Sequence, residues 1–381
     1  MRFVLYTHRY SPHEMPLFQA CADCFDDAVY VVDCAWDHDP SRAGWQPDLR
    51  GRRTLVLEAL PAEARESALR QLLDAETLIL YGLRGNPFEC MICASGALVI
   101  YASERWLKTT RRSVLGWTVK LPGVLHGLSG SFRRQVAFVR HQLATNRRFF
   151  YFGEGLHACR DMARLTESPL REESTAGWNP TDVVDVAGRI RAWGYFVDTT
   201  TWEGEPRQRM PDEPLRLLWV GRMIGVKRLD TLVEAVRLLN HGDSKGVGVT
   251  LTLLGDGPEL PHLKKCAAGL PVAFRGYVPM QEVRRLMHDF DVYVFPSEEG
   301  EGWGAVINEA LEEGLAVLCS RGAGAGVTML PEACLFEVGA ARELADKLRR
   351  PVPRVGIGSW NVRAAARALY DFALFQAKNL V

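Results

Sequence analysis

Short apolar runs rich in Val, Ile, Leu and aromatic residues recur along the chain, separated by longer mixed segments. In the first half they read RFVLYT, AVYVVDC, TLVLEAL, TLILYG, ALVIYAS and FFYFG. Runs that are apolar at successive positions fit strands buried on both faces of a parallel sheet, and the intervals leave room for crossover helices. After residue 214 a second series begins: LRLLWVG, VTLTLLGDG, VAFRGY, DVYVFPS and LAVLCS. Between its first two runs, Leu229, Leu232, Val233, Val236 and Leu239 are spaced 3, 1, 3 and 3, which predicts a helix with one buried face. Residues 197–214, VDTTTWEGEPRQRMPDEP, carry no period and predict a linker. The pattern therefore predicts two doubly wound α/β domains, the first over 1–200 and the second over 213–359. A closing helix within 360–381 places Val362, Ala366, Leu369, Tyr370 and Ala373 on one side and is expected to pack back across the first domain.

A length of 381 residues is too great for one ordinary core, which agrees with two domains. Lys plus Arg number 46 and Asp plus Glu 46, so net charge names no partner. The opening MRFVLYTHRYSP lacks the apolar region of a signal peptide, and no run approaches the ~18 to 20 apolar residues of a membrane span. The expected location is the cytoplasm, with peripheral contact to the inner membrane face. Nine cysteines, an odd number, argue against a disulfide framework. Cys21/Cys24 and Cys90/Cys93 have C-x2-C spacing, but the pairs are far apart in the chain and sit in apolar stretches; they are read as buried thiols and not as zinc ligands.

In open α/β sheets, ligands bind where strands end and helices begin. Three segments of the second domain fall there. GRMIGVKR places Arg222 and Lys227 after a strand, where cations and backbone amides can surround a diphosphate. LLGDGPE uses Gly255 and Gly257 for a tight turn. SEEGEGWGAVINEALEEG runs from a loop into a helix expected to begin near Gly304. Glu301 then sits on the loop, and Glu309, in the second helical turn, leans back toward it. Two carboxylates facing one cavity accept hydrogen bonds from hydroxyl groups, while Gly302 and Gly304 let backbone amides approach a phosphate. Glu298, Glu299, Glu312 and Glu313 are read as solvated. GAGAGV, 322–327, does not fit G-x-G-x-x-G and is read as a flexible loop on the donor side.

In the first domain, His8 and His13 follow the first strand and are candidates to line a cleft. From Arg105 to Arg148 there are ten basic residues and no acidic one, interleaved with apolar side chains. Such a surface suits anionic lipid or a phosphorylated acceptor. No nucleic-acid signature accompanies it.

In this order, GRMIGVK, LLGDGPE, FRGYV, VFPSEEGEGWGAVINEA and FEVGAARELADKL resemble the C-terminal domain of the retaining GT-B glycosyltransferases of family 4, over about 213–348. The resemblance implies two Rossmann-like domains facing a central cleft. It implies that Arg222 and Lys227 hold a donor diphosphate, that Glu301 touches the donor sugar and Glu309 the ribose. Arg275 to Val278, including Tyr277, would meet the base. Trp303 stands where phenylalanine is commoner, and Asn308 is an unusual neighbour for the glutamate. ASERW resembles a subgroup in which Glu104 positions or deprotonates the acceptor; pairing with an arginine is the alternative. The implied activity is transfer of a sugar, with retention and without a metal, from a nucleoside diphosphate sugar to a glycan or lipid-linked acceptor. No D-x-D metal motif follows a suitable strand. A sugar-nucleotide epimerase or hydrolase, or a non-catalytic nucleotide-sugar-binding module, remains the alternative.

Overall fold

The structure is a computed structural model that describes residues 1–10, 14–34, 53–82, 85–107, 110–114, 117–121, 130–171, 178–198, 207, 209–210, 212–240 and 248–379; for 110–114 and 117–121 only the backbone is described. In the first half the strands are β1 (Arg2–Arg9), β2 (Asp27–Cys34), β3 (Thr54–Val56), β4 (Thr77–Tyr81), β5 (Leu98–Ser103), β6 (Thr110–Val114), β7 (Trp117–Leu121), β8 (Phe149–Glu154) and β9 (Ile190–Trp193), of which all but β6, β7 and β9 are the apolar runs. The second series forms β10 (Leu215–Val220), β11 (Val249–Leu254), β12 (Val272–Phe274), β13 (Val292–Phe295), β14 (Ala316–Ser320) and β15 (Leu335–Phe336).

Two parallel sheets result, ordered β3-β2-β1-β4-β5-β8-β9 and β12-β11-β10-β13-β14-β15. In each, the first strand is central and the order reverses beside it, between β1 and β4 and between β10 and β13. Crevices open at such switch points, on the carboxyl side of the strands. Central strands are buried along their length: β4 and β5 have no exposed residue, because helices cover both faces. The helix Leu229–Asn240 buries Leu229, Leu232, Val233 and Val236, as its spacing requires.

Some elements differ from the sequence pattern. TLVLEAL is a strand only through Val56, and Leu57–Ala59 closes as a 3-10 turn. β9 and the two-residue β15 carry too few apolar residues to stand out from their neighbours. Within the basic stretch, β6 and β7 pair as an antiparallel hairpin. Most of the expected linker lies outside the described residues; within it, Arg207 is anchored on Asp291 at 2.6 Å. GAGAGV is no flexible loop: Gly324–Met329 is a short helix, and Gly322 through Gly326 are buried.

The closing helix, Val362–Asn379, lies against the helix Met15–Ala22 and the first sheet. Phe372 meets Phe150 and Phe152 edge-on at 5.0 and 5.4 Å, and Tyr370 meets Phe25 at 5.1 Å. Such contacts add to the burial of large rings. Phe372→Ala is expected to cost about 3 to 5 kcal/mol in urea unfolding, the usual range for a buried ring. A loss below about 1 kcal/mol would show that the helix is not anchored there.

Candidate active site

The loops after β10, β11 and β12 interlock through backbone bonds. The Gly221 amide donates to Leu254, the Met223 amide to Asp256 at 2.8 Å, and the Gly255 amide to Gly276 at 2.6 Å. Gly255 has φ of 121°, and a Cβ there would overlap the Gly221 carbonyl, so only glycine fits this turn. The lattice fixes the GRMIG segment, whose next residues turn as a 3-10 element, Gly225–Lys227.

From that turn Lys227 reaches Glu301 and forms an ion pair, both side chains being 16% exposed. The Lys227 ammonium also stands 5.1 Å above the Phe295 ring. Two backbone bonds bring the partners together: the Glu298 amide donates to Val226 and the Glu301 amide to Glu298, each at 2.9 Å. Arg222, in the loop after β10, is exposed and makes no ion pair among the described residues.

Glu309 lies in the first turn of the helix Val306–Glu312, one turn earlier than the sequence reading placed it, because the helix begins at Val306 and not at Gly304. It is 4% exposed, and its carboxyl group has no hydrogen-bond partner among the described residues. Burial pushes it up to about 7, opposed by Arg284 and reinforced by Glu313. Gly304 takes φ of 96° in the turn that leads into this helix. The amides of residues 302–305 make no bond to other backbone groups among the described residues. Ionisable acids, two cations and available backbone donors thus converge at the carboxyl edge of the second sheet.

Glu104 comes from the end of β5 in the other domain, and any Cβ on Gly302 would overlap its carboxyl group. Arg105, the next residue, turns to the first domain's helix Leu156–Thr166. It bonds Asp161 at 3.1 and 3.3 Å and reaches the Glu299 carbonyl at 3.5 Å. The two sheet edges therefore meet at Glu301 to Trp303, and Glu104 is brought to the loop that carries Glu301.

Trp303 and Asn308 act together. The Trp303 indole N–H donates to Asn308 Oδ1 at 2.7 Å, and Asn308 Nδ2 donates to the Tyr195 carbonyl at 3.0 Å. The Trp303 ring is 1% exposed, pressed on Gly194 and 5.5 Å from Trp360. It is a core side chain between the sheets and does not wall a sugar pocket. The sequence departures at 303 and 308 are thus one hydrogen-bonded pair.

The remaining candidates do not join this cluster. His8 is tied to Asp33 at 2.8 Å and half exposed. His13 lies outside the described residues. Arg275 and Tyr277 are exposed on the loop after β12, Tyr277 by 82%, and touch neither acid. Glu298 and Glu313 are buried, against the expectation of solvation; Glu313 is held by Arg284 at 2.5 Å and His288 at 2.9 Å, while Glu299 is exposed and Glu312 half-buried. All nine cysteines are free; of the two pairs only Cys21 is buried, while Cys24 and Cys93 are half-buried and Cys90 is exposed. In the basic stretch, Arg105 and Arg140 are paired with Asp161 and Glu167; the side chains of Lys108, Arg111, Arg112 and Lys120 lie outside the described residues. Among the described residues no helix is long and apolar enough to cross a membrane. Glu154 was missed by the sequence reading, although it ends a strand, FFYFGE, where the same rule would have found it.

Comparison with known proteins adds the following. Residues 214–352 match the family model described as glycosyl transferases group 1. The chain is 29% identical over 209 residues to the sulfoquinovosyl transferase SQD2 of Arabidopsis thaliana, covering 51% of this chain and 38% of that protein. It spans between 29% and 39% of the length of the curated relatives it matches. The apo structure of the lipopolysaccharide outer core galactosyltransferase WaaB superposes over 99% of both chains with a TM-score of 0.58 at 14% identity. The UDP-glucose complex of Anabaena Alr3699/HepE does so over 100% of this chain and 99% of that one, with a TM-score of 0.56 at 14% identity. The chain has the GT-B fold, and its second half resembles the group 1 glycosyltransferases.

Two outcomes follow for this site. The Glu309 carboxyl group ionises near 7 when folded against an ordinary 4.5, so its contribution to stability is full below 4.5 and lost as pH rises through 7. Glu309→Gln should therefore unfold like the wild type near pH 4 and be more stable at pH 8, by up to about 3 kcal/mol, in urea titrations at both pH values. Equal stability of the two proteins at pH 8 would contradict the buried, unpartnered carboxylate. Gly302→Ala should cost about 1 to 3 kcal/mol by overpacking, and Glu104→Ala in the same chain should restore most of it. Absence of coupling between the two changes would show that Glu104 does not occupy that space.

Proposed function

We propose that the chain is a glycosyltransferase that moves a sugar from a nucleoside diphosphate sugar to a hydroxyl acceptor, with retention at the anomeric carbon and without a metal. The observation that carries this reading is the Lys227–Glu301 pair beside the buried Glu309, at the mouth formed by the segment that matches the group 1 family. An ammonium already paired with a carboxylate can exchange that partner for a diphosphate oxygen, and the carboxylate it leaves is then ready to accept hydrogen bonds from sugar hydroxyls. Arg222 supplies the second cation. Glu309 accepts the two ribose hydroxyls, which supply the hydrogen bonds its carboxylate does not find among the described residues.

In the transfer step an acceptor oxygen forms a bond to the anomeric carbon as the bond from that carbon to the diphosphate oxygen breaks. The electron pair leaves with the diphosphate, and Lys227, Arg222 and the amides near Gly302 and Gly304 stabilise the charge that develops there. Glu104 orients the acceptor hydroxyl and receives its proton. The rate gain is thus electrostatic and positional. The acceptor class in this reading is a glycan or lipid-linked intermediate of cell-surface glycan synthesis. For a lipid-linked acceptor, the basic stretch 105–148 is the surface offered to anionic headgroups.

The test is thermal unfolding with UDP, GDP, ADP and dTDP sugars, without metal, on the wild type and Lys227→Ala. One nucleotide class should raise the melting temperature of the wild type and leave the variant unmoved. If none does so at millimolar concentration, the transferase reading fails. Consumption of the donor at an undiminished rate without any acceptor would instead favour the epimerase or hydrolase.

A further inference from the structure

The helix that carries Glu309, Val306–Glu312, has only seven residues. A helix so short takes its position from what it packs on more than from its own bonds. Both of its ends are fastened to residues 195–198, where the chain leaves β9 for the second domain. Near the start, the fully buried Asn308 donates from Nδ2 to the Tyr195 carbonyl at 3.0 Å and accepts from the Trp303 indole at 2.7 Å. At the end, Glu313 accepts from Arg284 at 2.5 Å, and the same guanidinium donates to the Asp198 carbonyl at 3.0 Å. Arg284 belongs to the neighbouring helix Met280–Met287. Glu309 lies between the two fastenings.

We propose that Asn308 is a positioning residue of the donor site: by holding its helix on the Tyr195 carbonyl, it keeps the Glu309 carboxyl group buried at the mouth where the ribose binds. The proposal rests on the transferase reading above and adds to it a residue that acts through Glu309 without touching the nucleotide.

A buried amide is tolerated only when both of its ends are paired, whereas an apolar side chain of similar volume would pack without that requirement. Here the two ends go to different places, one to the loop that leads into the helix and one to the other domain. The anchor is itself fixed: the Tyr195 phenol hydrogen-bonds Glu154 at the end of β8, and the Trp303 ring covers Gly194 beside it. Without the Asn308 bond the helix would keep its fastening at Glu313 alone, and water would reach Glu309. The groups that act on Glu309 among the described residues are Arg284, Glu313 and the Tyr293 phenol of β13, which burial and then the Glu309 charge hold well above its usual range. A neutral substitution at 308 leaves all three charges as they are, so a change in the titration of Glu309 reports a change in its exposure.

The test removes the tie. Asn308→Leu leaves the buried Trp303 N–H without its acceptor, so Trp303→Phe is combined with it and the double variant has neither group. Asn308→Ala, which leaves room for a water on the indole, is a second chain without the tie. Stability in urea is measured from pH 4 to 8 for the wild type and both variants, each with and without Glu309→Gln. The difference within each pair isolates the titration of Glu309. That difference should level off near pH 7 in the wild type, where the buried carboxyl group titrates, and at least about one unit lower in both variants, as water returns the group toward its ordinary 4.5. A role in core packing alone would lower stability at every pH and leave the levelling point in place. Affinities for UDP, GDP, ADP and dTDP are measured on the same chains. Any of these that the wild type binds should bind the variants at least about tenfold more weakly. The proposal is overturned if the levelling point stays near that of the wild type in a variant that unfolds cooperatively, or if such a variant binds nucleotide like the wild type. If the levelling point moves as expected while the wild type binds none of these nucleotides, the tie stands and the transferase reading falls.

Discussion

Everything in this site depends on how closely two sheet edges can approach. Parallel strands end in loops, and two such edges facing one another would normally be kept apart by side chains. Here the contact points are glycines. Gly302 leaves space that the Glu104 carboxyl group fills, Gly194 receives the Trp303 ring, and a Cβ on Gly155 would stand 3.0 Å from Gly324. Within the second domain, the Gly324 and Ala325 amides donate to the Gly302 and Trp303 carbonyls at 3.0 Å, which fixes the two loops of that edge to one another. Side chains at these positions would separate the acids and cations of one edge from Glu104 on the other. Backbone proximity, more than any single charge, makes a shared site possible.

Within that frame the charges are arranged as replaceable pairs. Lys227 and Glu301 satisfy one another while partly screened from water, which strengthens the attraction relative to an exposed pair. Glu309 is different: it is buried and its carboxyl group has no hydrogen-bond partner among the described residues, so its charge is costly until hydroxyl donors reach it. A ligand that brings a diphosphate for the lysine and a diol for the acid relieves both conditions. The structure therefore ties affinity for such a ligand to the same groups that lower stability without it, a trade common at functional sites.

The sheets were legible in the sequence because buried parallel strands are written as continuous apolar runs, and eleven such runs each correspond to a strand. β9 and β15 were not, being short and defined by their neighbours. Lys227, Glu301 and Glu309 could be assigned to one sheet edge because each follows an apolar run that ends a strand there. What the pattern could not carry was anything that crosses between domains. Nothing local to Trp303 reveals that Gly194, over a hundred positions away, receives its ring. Glu313 was read as solvated because its partners Arg284 and His288 belong to another helix turn of the chain.

The central claim is that a nucleoside diphosphate takes Lys227 from Glu301 and places its ribose on Glu309. The most direct measurement is a structure of the chain with the nucleotide bound. The account predicts the diphosphate between Lys227 and Arg222, the ribose hydroxyls within hydrogen-bond distance of Glu309, and the Lys227–Glu301 pair opened. A nucleotide bound elsewhere, or bound here with that pair intact and Glu309 untouched, would contradict it.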